Sequence, residues 1–165
     1  MWSPWRSKYI ESFSKPARKK KSRVSLFTAA IRERKDDKHF VVHRGKRCFV
    51  IMNLYPYNSG HLMIVPYREV ATFAELSPDE CAEIMLMSSR SMQALDRIMK
   101  PHGYNFGANI GRVSGAGVEN HVHFHIVPRW NGDTNFMPVL SSTKVISQDM
   151  RTTLGKLRKE FKRLA

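Results

Sequence analysis

The sequence predicts one domain of the α+β class, with a mostly antiparallel sheet of about five strands, one long helix and a C-terminal helix. Three observations lead to this class. Short segments rich in Val and Ile alternate with Gly, Pro and Asn turn signals, which is typical of strands. One long segment has helical periodicity between clear capping signals, and an amphipathic helical segment lies near the end of the chain.

The first part of the chain predicts an arm, a short helix and a hairpin. Residues 1–24 form the arm, which is aromatic at its start and basic from residue 15 to residue 23. Free termini are usually polar, so the aromatic residues indicate an arm that packs against a surface. A short helix is expected near residues 26–34, followed by a turn of acidic and basic residues at 35–38. Residues 39–44 and 47–53 predict two strands joined by a tight glycine turn.

The middle of the chain predicts a third strand and the long helix. Residues 61–66 form an apolar strand that ends at a proline. Ser77 is a good N-cap, Pro78 suits the first helical position, and Glu80 completes a capping box. Apolar residues then recur at nearly helical period, so we expect the helix to continue to about Met99.

The last part of the chain predicts a second hairpin and the C-terminal helix. Residues 103–110 alternate enough to form a strand, and residues 111–117 are a flexible glycine-containing turn. This turn leads into a strand at residues 121–128, so the two strands are expected to pair antiparallel. Residues 147–164 predict a helix with apolar side chains on one side and Lys and Arg elsewhere.

Three histidines at strand spacing are the clearest chemical signal in the chain. Successive side chains of a strand point to opposite faces, so His121, His123 and His125 share one face while the apolar residues between them face the core. Neighbouring imidazoles stand about 6.5 Å apart, close enough to contact one phosphate group or one metal ion. A metal site would need carboxylates that orient the rings, and the nearest acids, Glu119 and Asp133, lack the strand parity for this. A histidine nucleophile between two phosphate-holding imidazoles is the competing interpretation.

The basic charge of the chain is concentrated at its two ends. The formal net charge is +14 over 165 residues, and it divides into +11 for residues 1–48, −2 for residues 49–149 and +5 for residues 150–165. A folded nucleic-acid reader usually carries a basic stripe across its binding face, whereas the segment with the histidines is slightly acidic. Nucleic acid is therefore not an expected partner.

Two blocks of sequence resemble a known family. The block His121-Val122-His123-Phe124-His125-Ile126-Val127-Pro128-Arg129-Trp130 resembles the signature of the histidine-triad (HIT) superfamily, and Gly60-His61-Leu62-Met63-Ile64-Val65-Pro66 resembles its upstream strand. The continuation to Val139 is similar to the branch of bacterial diadenosine tetraphosphate phosphorylases and Fhit-like dinucleoside polyphosphate hydrolases, as is the opening Trp2-Ser3-Pro4-Trp5-Arg6. The resemblance covers nearly the whole chain and implies a HIT-like fold.

This resemblance implies a covalent mechanism and assigns residues to it. In such proteins the middle histidine, here His123, attacks the α-phosphate of a nucleotide and becomes a nucleotidyl-histidine, which water or phosphate then resolves. His121 and His125 would hold phosphate oxygens or orient His123, and His61 would support the phosphate site from the adjoining strand. The implied substrate-binding positions are Asn53 for the ribose, Asn109 and the backbone of Gly117 near the phosphates, and Trp130.

Each of these binding positions also has an ordinary structural alternative. Asn53 is equally a turn residue that ends a strand, Asn109 a plain strand residue, Gly117 part of a common hairpin turn, and Trp130 a packed side chain. Arg129 is either a phosphate ligand or a solvated side chain.

Two departures from the family pattern bear on metal binding and on catalysis. Many relatives carry Cys-x-x-Cys as half of a structural zinc site, where this chain has Ser25-Leu26-Phe27-Thr28. Hydroxyls replace thiolates poorly, so no cofactor is expected to be required, zinc included, and a divalent cation would enter only as a complex with the nucleotide. Some relatives place a polar donor ahead of the triad, where this chain has Gly117-Val118-Glu119, which predicts weaker assistance to the leaving group.

The sequence therefore predicts a homodimeric, cytoplasmic HIT enzyme that cleaves dinucleoside polyphosphates. The isolated Cys48 and Cys81 fit a reduced compartment, and no apolar run is long enough to span a membrane. The dimer is implied by the family and agrees with the aromatic arm. The alternative is a nucleotide-binding regulatory protein with little catalysis, associated with nucleic acid through the basic segment 15–23. A metalloprotein is a third possibility.

Overall fold

The structure, a computed structural model, describes residues 25–134 and 149–164. Within these ranges the helices are α1 (Leu26–Glu33), α2 (Asp36–His39), α3 (Pro78–Met99) and α4 (Met150–Leu164). The strands are β1 (Val41–Arg44), β2 (Cys48–Met52), β3 (Leu62–Pro66), β4 (Gly103–Ala108) and β5 (Phe124–Arg129). Short 3-10 helices lie at Phe73–Glu75 and Arg112–Ser114.

The described strands form an antiparallel sheet in the order β1-β2-β3-β5-β4. β2 and β3 pair along their full length, from Cys48 opposite Pro66 to Met52 opposite Leu62. β5 lies between β3 and β4, so Met63 and Gly107 flank His125 on its two sides. The predicted α+β class with an antiparallel sheet is confirmed, and among these strands β1 and β4 form the edges.

The long helix α3 begins with the capping box that the sequence predicts. The Ser77 hydroxyl accepts the Glu80 N–H at 3.3 Å, and the Glu80 carboxylate accepts the Ser77 N–H at 2.7 Å. Arg68 pairs with the same carboxylate at 2.8 Å. The hydrogen bond from Arg68, followed by the bond from the Ser77 backbone, lowers the pKa of Glu80 to about 2.

Apolar side chains cover the sheet on both faces. Val122, Phe124 and Ile126 lie in the larger core, together with buried side chains of α3 and α4. The opposite face carries a smaller core that packs α1 on the sheet, formed by Phe27, Ala30, Val41, Phe49, Ile51, Met63 and Val65. The alternation expected for the histidine segment therefore holds, because its apolar residues point into the helix-covered core.

Helix α4 is fastened to both β1 and α3. Arg158 donates to the Val41 carbonyl at 3.0 and 2.8 Å and also pairs with Asp37. Glu160 pairs with Arg97 of α3 at 3.3 Å. The apolar side of α4 is buried in the larger core at Leu154, Leu157 and Phe161, as its periodicity predicts.

Several strand boundaries differ from the prediction by one to three residues; β4, for example, ends at Ala108 rather than at residue 110. Two of the differences have a clear local cause. β5 begins at Phe124 rather than at residue 121. Its neighbour β3 ends at Pro66, which has no N–H to extend the hydrogen bonds between the two strands. In addition, the Val122 N–H bonds to the Val70 carbonyl and not to β3. The turn predicted at residues 35–38 is instead the single helical turn α2, which also includes His39, so β1 begins at Val41 rather than at residue 39. Both Arg34 and Phe40, which flank α2, have left-handed backbone conformations that end helices.

Some predictions fall on residues that the structure does not describe. The arm at residues 1–24 and the first two residues of the predicted C-terminal helix, 147 and 148, lie outside the described ranges. Within those ranges, no helix combines the length and apolar character needed to cross a bilayer.

Candidate active site

Four histidines converge where β3 and β5 lie side by side. His61 directly precedes β3, His125 lies within β5, and His121 and His123 stand in the extended segment that leads into β5. Their exposed fractions are 1% for His61, 0% for His121, 4% for His123 and 8% for His125. All four predicted catalytic residues are therefore brought into one buried group.

Main-chain carbonyls hold the first two histidines of the triad. His123 Nδ1 lies 2.8 Å from the His121 carbonyl oxygen, and His121 Nε2 lies 2.8 Å from the Pro66 carbonyl oxygen. A carbonyl only accepts, so each of these ring nitrogens must carry the hydrogen. The hydrogen-bond partners thus assign neutral His123 as the Nδ1–H tautomer, whose lone pair is on Nε2.

A chain of hydrogen bonds connects His61 to His125. The Tyr57 N–H donates to His61 Nδ1 at 3.0 Å, so this nitrogen carries a lone pair and the hydrogen of neutral His61 is on Nε2. His61 Nε2 lies 2.9 Å from His125 Nδ1, to which it therefore donates. It follows that neutral His125 carries its hydrogen on Nε2.

Two aromatic side chains pack against the histidines, and sequence reasoning missed both as site residues. The Phe27 ring lies 4.9 Å from the His123 ring and 5.5 Å from the His121 ring, measured between centroids. Tyr57 stacks on His125 at 5.8 Å and tilts against His61 at 4.7 Å. In the sequence, Phe27 belongs to the segment that replaces Cys-x-x-Cys, and Tyr57 belongs to no motif, so neither carries a local signal of its place in the site.

Burial favours the neutral form of His121. It lowers the pKa of His121, while the Pro66 carbonyl and the carboxylate of Glu69 raise it to a lesser extent. The edge-on contact with the Phe27 ring adds to this apolar setting.

Asn53 lies at the end of β2 and points back into the site. Its Oδ1 accepts the Tyr55 N–H at 2.9 Å, and its Nδ2 lies 3.3 Å from His61 Nδ1. The structure thus joins the predicted ribose-binding position to the histidine group through His61.

The other predicted binding residues lie at different distances from the triad. Asn109 follows β4 directly, one residue beyond the pair Ala108–Phe124, which puts it alongside His123. Gly117 is half-buried in the segment that precedes His121. Trp130 follows β5 at its far end, seven residues of about 3.3 Å each from His123, so the structure does not bring it together with the nucleophile candidate.

Arg129 is engaged by its own turn, which argues against its role as a phosphate ligand. Its guanidinium makes a bidentate pair with Asp133 at 2.6 and 2.8 Å and donates to Asn105 at 2.8 Å. The Asp133 carboxylate also accepts the Trp130 N–H and the Asn58 side-chain amide, at 3.1 and 2.8 Å. This carboxylate therefore ties the end of β5 to the loop that carries Tyr57.

The segment that replaces Cys-x-x-Cys does not fit a zinc ion. The Ser25 hydroxyl accepts the Thr28 N–H at 3.0 Å as the N-cap of α1, and the two hydroxyls lie 2.8 Å apart in a hydrogen bond. Hydroxyls are also poor zinc ligands. Within the described ranges, no group of three or more His, Cys, Asp or Glu side chains is arranged to hold a metal ion. That the protein needs no cofactor stays a prediction.

Comparisons with known proteins point to one domain family. The family model of the HIT domain matches residues 34–132. The chain is 38% identical over 165 residues to the AP-4-A phosphorylase of Mycobacterium tuberculosis, and the aligned region covers 99% of this chain and 84% of that protein. It is 30% identical to the asymmetrical bis(5'-nucleosyl)-tetraphosphatase of Schizosaccharomyces pombe over 56% of this chain and 50% of that one.

A solved structure of low sequence identity has the same fold. The histidine triad nucleotide-binding protein from Sulfolobus tokodaii superposes with a TM-score of 0.68 at 23% identity, over 85% of this chain and 93% of its own. This likeness bears on the fold alone.

Proposed function

This chain belongs to the HIT domain family, and on that premise we propose that it cleaves dinucleoside polyphosphates such as diadenosine tetraphosphate at the α-phosphate, through a covalent intermediate on His123. Its similarity over 99% of its length to a named phosphorylase makes it an enzyme of nucleotide hydrolysis or transfer. The proposal adds the mechanism and the roles of the individual residues.

The observation that carries the proposal is the hydrogen bond between His123 Nδ1 and the His121 carbonyl, at 2.8 Å. It fixes the ring and keeps the lone pair on Nε2, as a nitrogen nucleophile requires. A neutral imidazole is a competent nucleophile near neutral pH. His123 is the middle histidine of the motif that the family shares.

In the first step, Nε2 of His123 forms a bond to the α-phosphorus, and the bond from phosphorus to the bridging oxygen breaks. The departing polyphosphate oxygen gains negative charge and leaves as a phosphate anion. His125, whose ring lies 4.9 Å from that of His123, carries its hydrogen on Nε2 and stabilises this charge by a hydrogen bond. His61 supports His125 through the 2.9 Å hydrogen bond.

In the second step, an oxygen of water or of inorganic phosphate attacks the same phosphorus and breaks the bond to His123. A water acceptor loses a proton to the solvent, an ionised phosphate oxygen has none to lose, and His125 keeps its hydrogen in both cases. With water the product is a nucleoside monophosphate, and with phosphate it is a nucleoside diphosphate. The proposal includes breakdown of the intermediate by water and by phosphate.

The substrate would lie over the β4 side of His125. Gly107 pairs with His125 in the sheet, and a Cβ at Gly107 would meet no described atom within 4 Å. In this proposal, Asn109 and the backbone of Gly117 would contact the phosphates. Trp130, at the far end of β5, would reach only a distant part of the substrate.

We also propose a cytoplasmic homodimer that consists of one domain and needs no metal of its own. β4 is an edge strand among those described, and Phe106 of this strand and Phe73 beside it are exposed. Met85 and Leu86 of α3 are also exposed. Edge strands with exposed apolar side chains favour pairing with a second copy. The free cysteines fit a reduced compartment.

The test is product analysis of diadenosine tetraphosphate incubated with the wild type and with His123→Ala, each with and without inorganic phosphate. We expect ADP and ATP when phosphate resolves the intermediate, AMP and ATP when water does, and no turnover by the variant. Because His123 is buried, circular dichroism must show that the variant folds, and His123→Asn serves as a second, polar replacement.

The covalent intermediate has a test of its own. Wild-type enzyme quenched with alkaline denaturant should gain the mass of one nucleotidyl group on the peptide that contains His123, and the adduct should be lost when the quenched sample is brought to low pH, as phosphoramidates are. Turnover by folded His123→Ala equal to that of the wild type would exclude this mechanism.

A further inference from the structure

We propose that Asn53 is a positioning residue, which acts together with the Tyr57 N–H to hold His61, and through it His125, in the tautomers that the reaction uses. The effect of this role on catalysis rests on the proposed function. The tautomers themselves follow from the hydrogen bonds of the free protein.

The orientation of the Asn53 side chain is set by the loop that follows it. Its Oδ1 accepts the Tyr55 N–H at 2.9 Å, so the amide group must turn its Nδ2 towards His61. Nδ2 lies 3.3 Å from His61 Nδ1, and the Tyr57 N–H reaches the same atom at 3.0 Å. Two donors thus converge on one ring nitrogen, which cannot itself carry a hydrogen.

Burial makes this arrangement decisive for the tautomer. His61 is 1% exposed, so bulk water does not provide alternative partners for its ring nitrogens. A hydrogen on Nδ1 would face two N–H groups and would leave both without an acceptor. The loop at residues 53–57 therefore sets the proton position of a side chain that it surrounds.

The tautomer of His61 decides that of His125. With its hydrogen on Nε2, His61 donates to His125 Nδ1 across 2.9 Å, and His125 carries its own hydrogen on Nε2. With the opposite tautomer, His61 would accept a hydrogen from His125 Nδ1, and Nε2 of His125 would then have none to give. A change at Asn53 would thus remove the hydrogen-bond donor to the departing oxygen in the proposed first step.

This role differs from contact with the ribose, which the family resemblance implies for the same position. A ribose contact acts on substrate affinity, and it requires the ribose hydroxyls. A positioning role acts on turnover, and it persists when those hydroxyls are absent. The two roles can therefore be separated by kinetics and by the choice of substrate.

The decisive variant is Asn53→Asp, which keeps the size of the side chain and replaces the donor by an acceptor. We expect His61 Nδ1 to become protonated, visible in histidine-labelled ¹⁵N spectra of the free protein as a change of that nitrogen to the protonated type. We expect kcat to fall on the order of 10- to 100-fold with KM little changed, since removing one hydrogen-bond donor to developing negative charge costs about 100-fold or more. The loss should be equal for diadenosine tetraphosphate and for its 2'-deoxy analogue.

Asn131→Asp is the matched control, because Asn131 is exposed in the turn after β5 and receives the same chemical change. It should leave the spectra of His61 and His125 unchanged. Asn53→Ala should give a smaller loss than Asn53→Asp, because the Tyr57 N–H still reaches His61 Nδ1.

The spectra test the proposal even where no activity is found. An unprotonated Nδ1 on both His61 and His125 of the wild type supports it, and a hydrogen on His61 Nδ1 in the wild type overturns it. A loss confined to KM, or one that disappears with the 2'-deoxy analogue, assigns Asn53 to the ribose and also overturns it. A wild type that does not cleave dinucleoside polyphosphates refutes the proposed function but leaves the spectral result valid.

Discussion

Gly60 provides the sharpest test of the way the fold holds His61. Its backbone is in the left-handed region at φ +73°, and a Cβ there would lie 2.5 Å from Met99 Sδ and 3.0 Å from Leu95 Cδ2. The left-handed conformation costs a residue with a Cβ about 1–2 kcal/mol. Overpacking against Leu95, which is fully buried, adds about 1–3 kcal/mol. Gly60→Ala should therefore lower the free energy of unfolding by about 2–5 kcal/mol.

Gly132 offers a control that separates the two contributions. Its φ is also +73°, but a Cβ at this position would meet no described atom within 4 Å. Gly132→Ala should therefore show only the backbone cost, about 1–2 kcal/mol. Both substitutions reduce the entropy of the unfolded chain equally, so this effect cancels in the comparison.

Thermal unfolding followed by circular dichroism measures the difference. For a chain of this size, 1 kcal/mol corresponds to about 2–4 °C in Tm, so Gly60→Ala should melt roughly 2–12 °C below Gly132→Ala. Activity should fall more steeply in Gly60→Ala, because a shift of about 1 Å in a catalytic group can cost about 100-fold. Equal melting temperatures for the two variants would refute the argument that the chain packs tightly against α3 at Gly60.

Three further substitutions probe other parts of the structure. Burial, followed by the charge of Arg90, lowers the pKa of His43. Below about pH 6.5 the folded state therefore binds fewer protons than the unfolded state, and the protein loses stability as the pH falls through that range. His43→Phe, which can keep the stack on Phe161, should show a smaller fall in Tm between pH 7.5 and pH 5 than the wild type, and an unchanged fall would contradict this reasoning. Leu157→Ala, at a fully buried position of α4, should cost about 2–5 kcal/mol in urea unfolding, and a loss below about 1 kcal/mol would mean that α4 is not anchored in the core. Gly107→Val should raise KM for diadenosine tetraphosphate several-fold while leaving Tm nearly unchanged, and a normal KM would move the substrate away from β4.

The features that sequence predicts best are those whose causes lie within a few residues. The capping box at Ser77 and Glu80 fixes the start of α3, because both hydrogen bonds join residues three apart. The alternation of histidines and apolar residues likewise determines which side chains face the core, and this holds although β5 begins only at Phe124.

The features that sequence does not predict depend on contacts between distant segments. The start of β5 depends on where Pro66 ends its neighbour, and α2 ends at Phe40, a residue type that rarely adopts the left-handed conformation. The pairing of Arg129 with Asp133 could be anticipated only by knowing that the chain turns there. The approach of Phe27 to His123 requires α1 to pack across the sheet, which no local pattern encodes.

The hydrogen bond from His123 to the His121 carbonyl also affects how the site can evolve. Its acceptor is a main-chain atom two residues away, so no exchange of a neighbouring side chain can delete it. The hydrogen bonds that hold His61 are different, because one of their two donors is the side chain of Asn53, which is open to mutation. Random drift would therefore spare the orientation of the nucleophile and act first on the hydrogen-bond donor, His125. A laboratory selection for altered leaving groups should accumulate its substitutions in the loop around residue 53 and leave the triad intact.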